Sequence, residues 1–305
     1  MPSTTYLFVV NPISGGNDKT SIYRLIEEEI IQKGIACPVF KTTGKNDESE
    51  LSKLISSTRP NVIVAVGGDG TLLLVARLTK NSDIKIGLIP FGSANGMSKE
   101  LNIPRITDIR LSFNTSERFV ECWNIIKRGQ IREIDMLQIN DHHYSLHLSD
   151  IGLNAKIVKR FEAEKIRGYF GYARLIFKVL KQKKRIYYRL TADEKIYKGR
   201  AYMIVIANAT MYGTGAVINH IGELSDGVFE ICLLKQVKFS TLLHAFVSIF
   251  KRNLQPGSNL IRIVSCKKAS IELREAETLQ VDGEVIGDVK QVEIKILPKA
   301  IKLIC

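Results

Sequence analysis

The chain has 305 residues, 45% of them hydrophobic and 25% charged, which describes a folded globular protein with room for two domains and excludes a disordered one. No apolar run approaches the ~18 residues that a membrane-spanning helix needs. Lys and Arg number 44 against 31 Asp and Glu, a net charge of +13, so the surface suits nucleic acid, anionic lipid headgroups or phosphorylated molecules about equally.

In chain order, Tyr6 to Val10 reads as a buried strand and ends in the turn chemistry of Asn11-Pro12-Ile13-Ser14-Gly15-Gly16. Helical spacing follows over residues 21–32, with Ile22, Leu25, Ile26 and Ile30 on one face and Gly34 as the stop. Residues 37–40 return as a strand with Thr42 at its end, and residues 47–57 form a second helix. Val62 to Val66 is apolar on both faces, as a buried parallel strand requires. It runs into Gly67-Gly68-Asp69-Gly70-Thr71, where three glycines let the backbone turn sharply and approach a ligand closely. Amides at the start of the helix over 71–80 would point at anionic oxygens. Asp69 would repel a phosphate unless a metal ion stood between them, so it implies Mg²⁺ or proton transfer. A further strand, Lys85 to Pro90, ends in Phe91-Gly92-Ser93-Ala94-Asn95-Gly96. A helix carrying Phe119, Val120, Trp123 and Ile126 closes the unit near Gly129.

Strands alternating with helices predict a doubly wound parallel sheet, whose ligands bind at the carboxyl ends of the strands. Residues 11–16, Thr42, 67–71 and 92–96 all fall at that edge. The texture then changes to short strand-like segments at 131–139, 143–149, 186–192, 195–199, 201–207, 228–234, 261–264, 269–273, 278–281 and 290–296. Turn pairs such as Asn140-Asp141 and Asp226-Gly227 separate them, and the pattern is that of an antiparallel sandwich or barrel-like domain. The expected fold class is therefore α/β plus all-β. Helical insertions are expected over 157–181, ending in the basic cluster Lys181, Lys183, Lys184, Arg185, and over 239–254.

Five cysteines are scattered without a Cys-x-x-Cys pair, against a zinc site or a disulfide framework. His142, His143 and His147 lack metal-ligand company and are expected on exposed strand positions. No zinc finger, basic zipper or aromatic RNA-binding signature occurs, so nucleic acid is not an expected partner. The first residues lack the basic region and cleavage site of a secretory signal, which leads to an expected cytoplasmic location.

Taken with Ile134-Asp135, Ala207-Asn208-Ala209, Tyr212-Gly213, the segment Leu224 to Phe229 and Gln280-Val281-Asp282-Gly283-Glu284, the glycine-rich loops make the chain resemble the diacylglycerol kinase-like lipid kinases. These are the soluble bacterial lipid kinases and their sphingosine kinase relatives, and the likeness covers nearly the whole length. It implies ATP-dependent, Mg²⁺-dependent phosphorylation of a lipid hydroxyl. Residues 1–130 would be the nucleotide-binding α/β domain and 131–296 the β-rich lipid-substrate domain, with 297–305 packing back onto the first. By this resemblance Asn11, Thr42, Gly67, Gly68, Asp69, Gly70, Thr71, Gly92, Ser93 and Asn95 contact the nucleotide. Asp69 holds catalytic Mg²⁺, Glu284 is the general base, Asp282 is its neighbouring carboxylate, and Asp135 joins the metal–water network. Asp226, with the carbonyls of Glu223 and Val228, matches a separate structural Mg²⁺ site.

Two departures stand out. The soluble bacterial members generally have Asn-Asp where this chain has Asn95-Gly96, and Asn-Glu where it has Leu73-Leu74. Three further readings stay open: an NAD kinase or phosphofructokinase-like enzyme acting on a soluble acceptor, a catalytically impaired regulatory homologue, and a homodimer rather than a monomer. A lipid kinase without a transmembrane span would meet its substrate by peripheral contact with an anionic membrane.

Overall fold

The computed structural model describes residues 4–16, 20–28, 37–106, 115–152, 184–211, 217–235 and 260–305. The expected helices over 157–181 and 239–254, Gly34, Tyr212-Gly213, Lys181 and Lys183 lie outside them. The chain groups into two compact units, Met1–Ile134 with Lys299–Cys305, and Asp135–Pro298.

The first unit is built on strands β1 (Tyr6–Val10), β2 (Val39–Lys41), β3 (Val62–Gly67) and β4 (Lys85–Pro90). All pair in parallel, in the order β4-β3-β1-β2. Lys302 and Leu303, at the end of β14 (Glu284–Ile304), add a fifth parallel position against Lys85 and Ile86 of β4. Every residue of β3 is buried, because helices cover both faces of a parallel sheet and leave none for polar side chains. Helix α1 (Thr20–Ile26) packs beside α5 (Thr115–Arg128), and α2 (Asp47–Thr58) beside α3 (Asp69–Thr79). That pairing follows from right-handed crossovers: β1 to β2 moves one way along the sheet, and β2 to β3 to β4 the other. The reversal lies between β1 and β3, where an open α/β sheet leaves a crevice beyond its carboxyl ends.

Helix α5 shows why the layers hold. Phe119, Cys122, Trp123 and Ile126 recur at helical spacing and are buried, with Val120 half-buried at the margin of that face. The Trp123 ring meets Tyr6 edge-on at 5.1 Å and Phe8 at 5.8 Å, arrangements favoured by the aromatic quadrupole. Gly129, at φ +68°, stops the helix.

The second unit is antiparallel. Its strands are β5 (Ile131–Ile139), β6 (His143–Ser145), β7 (Leu148–Gly152), β8 (Ile186–Ala192), β9 (Lys195–Ala201), β10 (Met203–Ala207), β11 (Phe229–Leu234), β12 (Ile261–Cys266), β13 (Lys268–Val281) and β14. The long β13 serves two layers of one continuous hydrogen-bonded sheet. Its first half pairs with β8 through 269–273, whereas Leu279 and Gln280 pair with β7. Register slips against β14 between Glu272 and Glu277 allow the change, since a bulge bends a strand and sharpens its twist. One layer is β9-β8-β13 and the other is β12-β11-β10-β7-β13. Their inner faces share a core that includes Leu190, Ile204, Ile231, Ile271 and Ile294.

Four of the expected segments change. Residues 269–273 and 278–281 are one strand, 290–296 is the middle of a 21-residue strand, and 143–149 breaks into β6 and β7 at Leu146 and His147. His147 is buried rather than exposed as expected: the break where it sits is bonded to the Asp282 carboxylate on one side and to the Asn208 and Ala209 amides on the other. Cys122, Cys232 and Cys266 are buried, Cys37 and Cys305 half-buried, and all five are free. Burial pushes the Cys122 and Cys266 thiols up to about 12, which makes them poor nucleophiles near neutral pH. Among the described residues no helix is long and apolar enough to cross a membrane.

Replacing Trp123 with Ala removes a buried aromatic from two ring contacts. We expect a loss of about 3–5 kcal/mol, read from the denaturant midpoint.

Candidate functional site

Three loops at the carboxyl edge of the parallel sheet meet backbone against backbone. The loop after β1 reaches the loop after β4 at Gly15, where a Cβ would lie 2.5 Å from the Phe91 carbonyl oxygen. The loop after β3 meets that after β4 at Gly68 and Gly92; a Cβ on Gly92 would lie 2.4 Å from the Gly68 Cα. Real side chains cannot occupy such separations, so the glycines are required by contact. Phe91 N donates to the Gly67 carbonyl at 2.7 Å, which ties the two loops further.

Within this edge the expected residues play different parts. Asn11 is used in its own turn: its Oδ1 accepts from Ile13 N at 3.1 Å, and its carbonyl accepts from Ser14 Oγ at 3.1 Å. Asn95 is buried, accepts from Gly92 N at 2.9 Å and donates to the Gly92 carbonyl at 2.7 Å, so it clamps the 92–95 turn shut. Ser93 is exposed at the tip of that turn, and Thr42 is half-buried at the end of β2. Gly67 makes room for Thr71, since a Cβ there would strike the Thr71 hydroxyl. That hydroxyl is buried and has no hydrogen-bond partner. An orphaned hydroxyl in the first turn of α3, beside amides that have no intrahelical acceptor, is chemistry suited to a phosphate oxygen.

Asp69 is the first residue of α3 and reaches across to α4 (Gly96–Glu100). Its Oδ2 accepts from Gly96 N at 2.9 Å and its Oδ1 from Met97 N at 3.1 Å. No local pattern signals this contact, which locks the β3 and β4 loops together through a carboxylate. Each oxygen keeps a second lone pair for a water or a cation. Gly96, one of the two departures in the sequence, is buried and donates its amide to Asp69. Leu73 and Leu74 are half-buried on α3.

In the second unit Asp282 and Gly283 form a two-residue hairpin turn between β13 and β14, with φ of +45° and +96°. Both residues at positive φ match the twist of the flanking strands. Asp282 faces inward: its carboxylate accepts from Ser145 Oγ at 2.5 Å, Leu146 N at 2.8 Å, Leu148 N at 3.1 Å and His147 N at 3.3 Å. It therefore satisfies the amides at the β6–β7 break. Glu284, two residues on, is exposed and opens β14. Gln280 supports the turn, accepting from Gly283 N at 2.6 Å and donating to buried Asp150 at 2.5 Å. Gln280 has no role assigned in the motif that contains it, and Asp150 is assigned none; an Asp between Leu148 and Ile151 is the available signal.

Asp135 is fully buried, and its Oδ2 accepts from Gly227 N at 2.7 Å while its own amide donates to the Leu224 carbonyl at 2.8 Å. It thereby anchors the 224–228 loop. Asp226 is exposed and accepts from Val228 N at 3.1 Å, an Asx turn that leaves its other oxygen outward. With the Glu223 and Val228 carbonyls this is an oxygen-only donor set, compatible with a hard cation. Nearby, burial raises the pKa of Glu230 against the hydrogen bonds it receives from Asn219 and Ser265. Among the described residues no group of three or more His, Cys, Asp or Glu side chains gathers as a metal cage.

Comparison with known proteins agrees with this layout. Residues 5–139 match the family model described as "Diacylglycerol kinase catalytic domain", and residues 149–305 match "YegS C-terminal NAD kinase beta sandwich-like domain". A Staphylococcus carnosus (strain TM300) protein named "Putative lipid kinase" is 28% identical over 248 residues, 80% of this chain and 76% of its own length. A crystal structure of a "putative diacylglycerol kinase" from Bacillus anthracis str. Sterne superposes with a TM-score of 0.73 at 18% identity, covering 100% of this chain and 98% of that one. A second diacylglycerol kinase structure from the same organism gives 0.69 at 19% identity, with 100% and 97% covered. At these identities the structures show the shared fold.

Two substitutions test the loop contact. Gly92→Ala forces the β3 and β4 loops apart and is expected to cost about 1–3 kcal/mol as overpacking. Gly70→Ala, where a Cβ meets nothing within 4 Å, is expected to leave the thermal midpoint within experimental scatter.

Proposed function

This chain belongs to the diacylglycerol kinase-like lipid kinase family, and from that premise we propose that it transfers the terminal phosphoryl group of ATP to a lipid hydroxyl. The observation that carries the reading is the glycine-lined edge holding the buried, unpartnered Thr71 hydroxyl. Phosphoryl transfer asks a protein for positioning and charge neutralisation more than for covalent chemistry. Thr71 and the amides of Gly68, Asp69 and Gly70 bind phosphate oxygens, and Gly92 and Gly15 let the backbone close around them. Asp69, already held by the Gly96 and Met97 amides, presents its remaining lone pairs to Mg²⁺. When bound, that ion neutralises charge on the reacting phosphates. Asp226 with the Glu223 and Val228 carbonyls holds a second ion in a structural role.

Glu284 accepts the proton of the lipid hydroxyl as its oxygen bonds to the terminal phosphorus and the bond to ADP breaks. Asp282 acts as a positioning residue: its hydrogen bonds to 145–148 fix the turn that carries Glu284. The lipid is a diacylglycerol-like or sphingoid alcohol, bound by the β-rich unit, and the protein works on a membrane surface from the cytoplasm. The match of 5–139 to a diacylglycerol kinase catalytic domain favours a lipid over a soluble acceptor of the NAD kinase type.

The test is phosphorylation of lipids in detergent micelles with labelled ATP and Mg²⁺. A labelled lipid is the expected product, and its absence across diacylglycerol, monoacylglycerol and sphingoid bases would overturn the reading. Glu284→Gln is expected to cut turnover by roughly 10²–10⁴-fold with unchanged nucleotide binding and melting temperature. Asp282→Ala, which strands the four donors at the β6–β7 break, is expected to cost about 2–4 kcal/mol of stability as well; equal melting temperatures for the two variants would remove its positioning role.

A further inference from the structure

The outer face of β8, β9 and the first half of β13 gathers basic side chains around an aromatic ring. Strand alternation turns Ile186, Tyr188, Leu190 and Ala192 into the core and leaves Tyr187 and Arg189 outward. Cross-strand register sets Arg200 of β9 opposite Tyr187, and Lys198 opposite Arg189. Two guanidiniums flank the Tyr187 ring, Arg200 at 5.8 Å and Arg274 at 5.6 Å. These residues line a shallow groove of about 580 Å³. One acidic side chain, Glu272, faces the same groove and pairs with Arg189 at 3.9 Å. Among the described residues, Lys198, Arg200 and Arg274 have no carboxylate within ion-pair distance. Of the five large hydrophobic residues that are exposed among the described residues, two stand here, Tyr187 at 45% and Ile196 at 53%.

We propose that this sheet face is the surface by which the protein docks on an anionic lipid bilayer. Lys198, Arg200 and Arg274 supply charge complementary to lipid phosphates, each worth about a factor of five in partition near an anionic surface. Tyr187 and Ile196 supply apolar tips that enter the headgroup boundary, where an amphipathic ring is well placed. Lys198 and Arg200 also keep β9 from pairing with another sheet. Edge protection needs charge alone, however, and leaves the ring between two guanidiniums and the bare Ile196 unexplained. A second copy of this chain is disfavoured as occupant because the face would meet its own positive charge. The inference rests on the lipid-kinase reading for the choice of a bilayer as the anionic partner.

The test is sedimentation of the full chain with vesicles of phosphatidylglycerol and phosphatidylcholine, and with phosphatidylcholine alone. The triple variant Lys198→Gln, Arg200→Gln, Arg274→Gln is expected to bind the anionic vesicles on the order of 100-fold less tightly, and Ile196→Asn several-fold less. The comparison variant Lys53→Gln, Lys127→Gln, Arg128→Gln removes the same charge from exposed positions that are not part of this face, and is expected to bind within about twofold of wild type, because only charges at the docking surface contribute. Equal weakening by both triples, no weakening by the first, or tighter binding of single-stranded DNA than of anionic vesicles to this face would each overturn the proposal. Turnover on lipid in detergent micelles separates the two readings: wild-type activity there tests the kinase assignment, and the sheet-face triple is expected to retain it.

Discussion

The first unit depends on a contact that no side chain can enter. Gly68 and Gly92 bring the loops after β3 and β4 within backbone distance, and Gly15 does the same for the loop after β1. Only then can the Asp69 carboxylate span from α3 to the amides of Gly96 and Met97. A carboxylate bound at helix-start amides is electrostatically favourable, so one residue serves structure and chemistry together. The same closeness leaves the Thr71 hydroxyl buried without a partner, a cost that a folded protein tolerates where a ligand will meet it.

The second unit shows the complementary arrangement, in which polar groups sit beneath an exposed turn and hold it. Asp282 gathers four donors from the β6–β7 break, and Gln280 connects the turn to Asp150. Glu284 stays outward on a hairpin whose geometry is thereby fixed from below. A reacting group on a two-residue turn gains precision this way, because the turn has little freedom left once its neighbours are hydrogen-bonded. Buried His147, Ser149 and Asn208 each keep a polar atom without a partner. His147 and Asn208 are tied directly, since the Asn208 amide donates to the His147 carbonyl.

Much of this was legible in the residues because it follows from local rules. Parallel strands declare themselves by runs that are apolar on both faces, as in Val62 to Val66, and α5 by its 3.6-residue spacing. The glycine-rich loops and the Asp282-Gly283 turn are equally local, since positive φ and close approach select glycine whatever the surrounding fold. The family resemblance was readable for the same reason: its motifs are short, ordered and tied to backbone shape.

Tertiary structure decided what distant residues do to one another. That Asp69 caps α4 and that Asp135 anchors the 224–228 loop depend on partners 27 and 92 positions away. Whether 269–273 and 278–281 were two strands or one could not be read locally, because a bulge is set by the sheets on either side of it. Burial of His147 escaped for a related reason: exposure depends on which strands pack over a residue, and alternation within one strand does not reveal them. The sequence by itself determined the elements, their order and the chemistry available at their ends; only the packed chain decided which of those groups bind one another and which remain for a ligand, because hydrogen bonds are allotted by proximity in space.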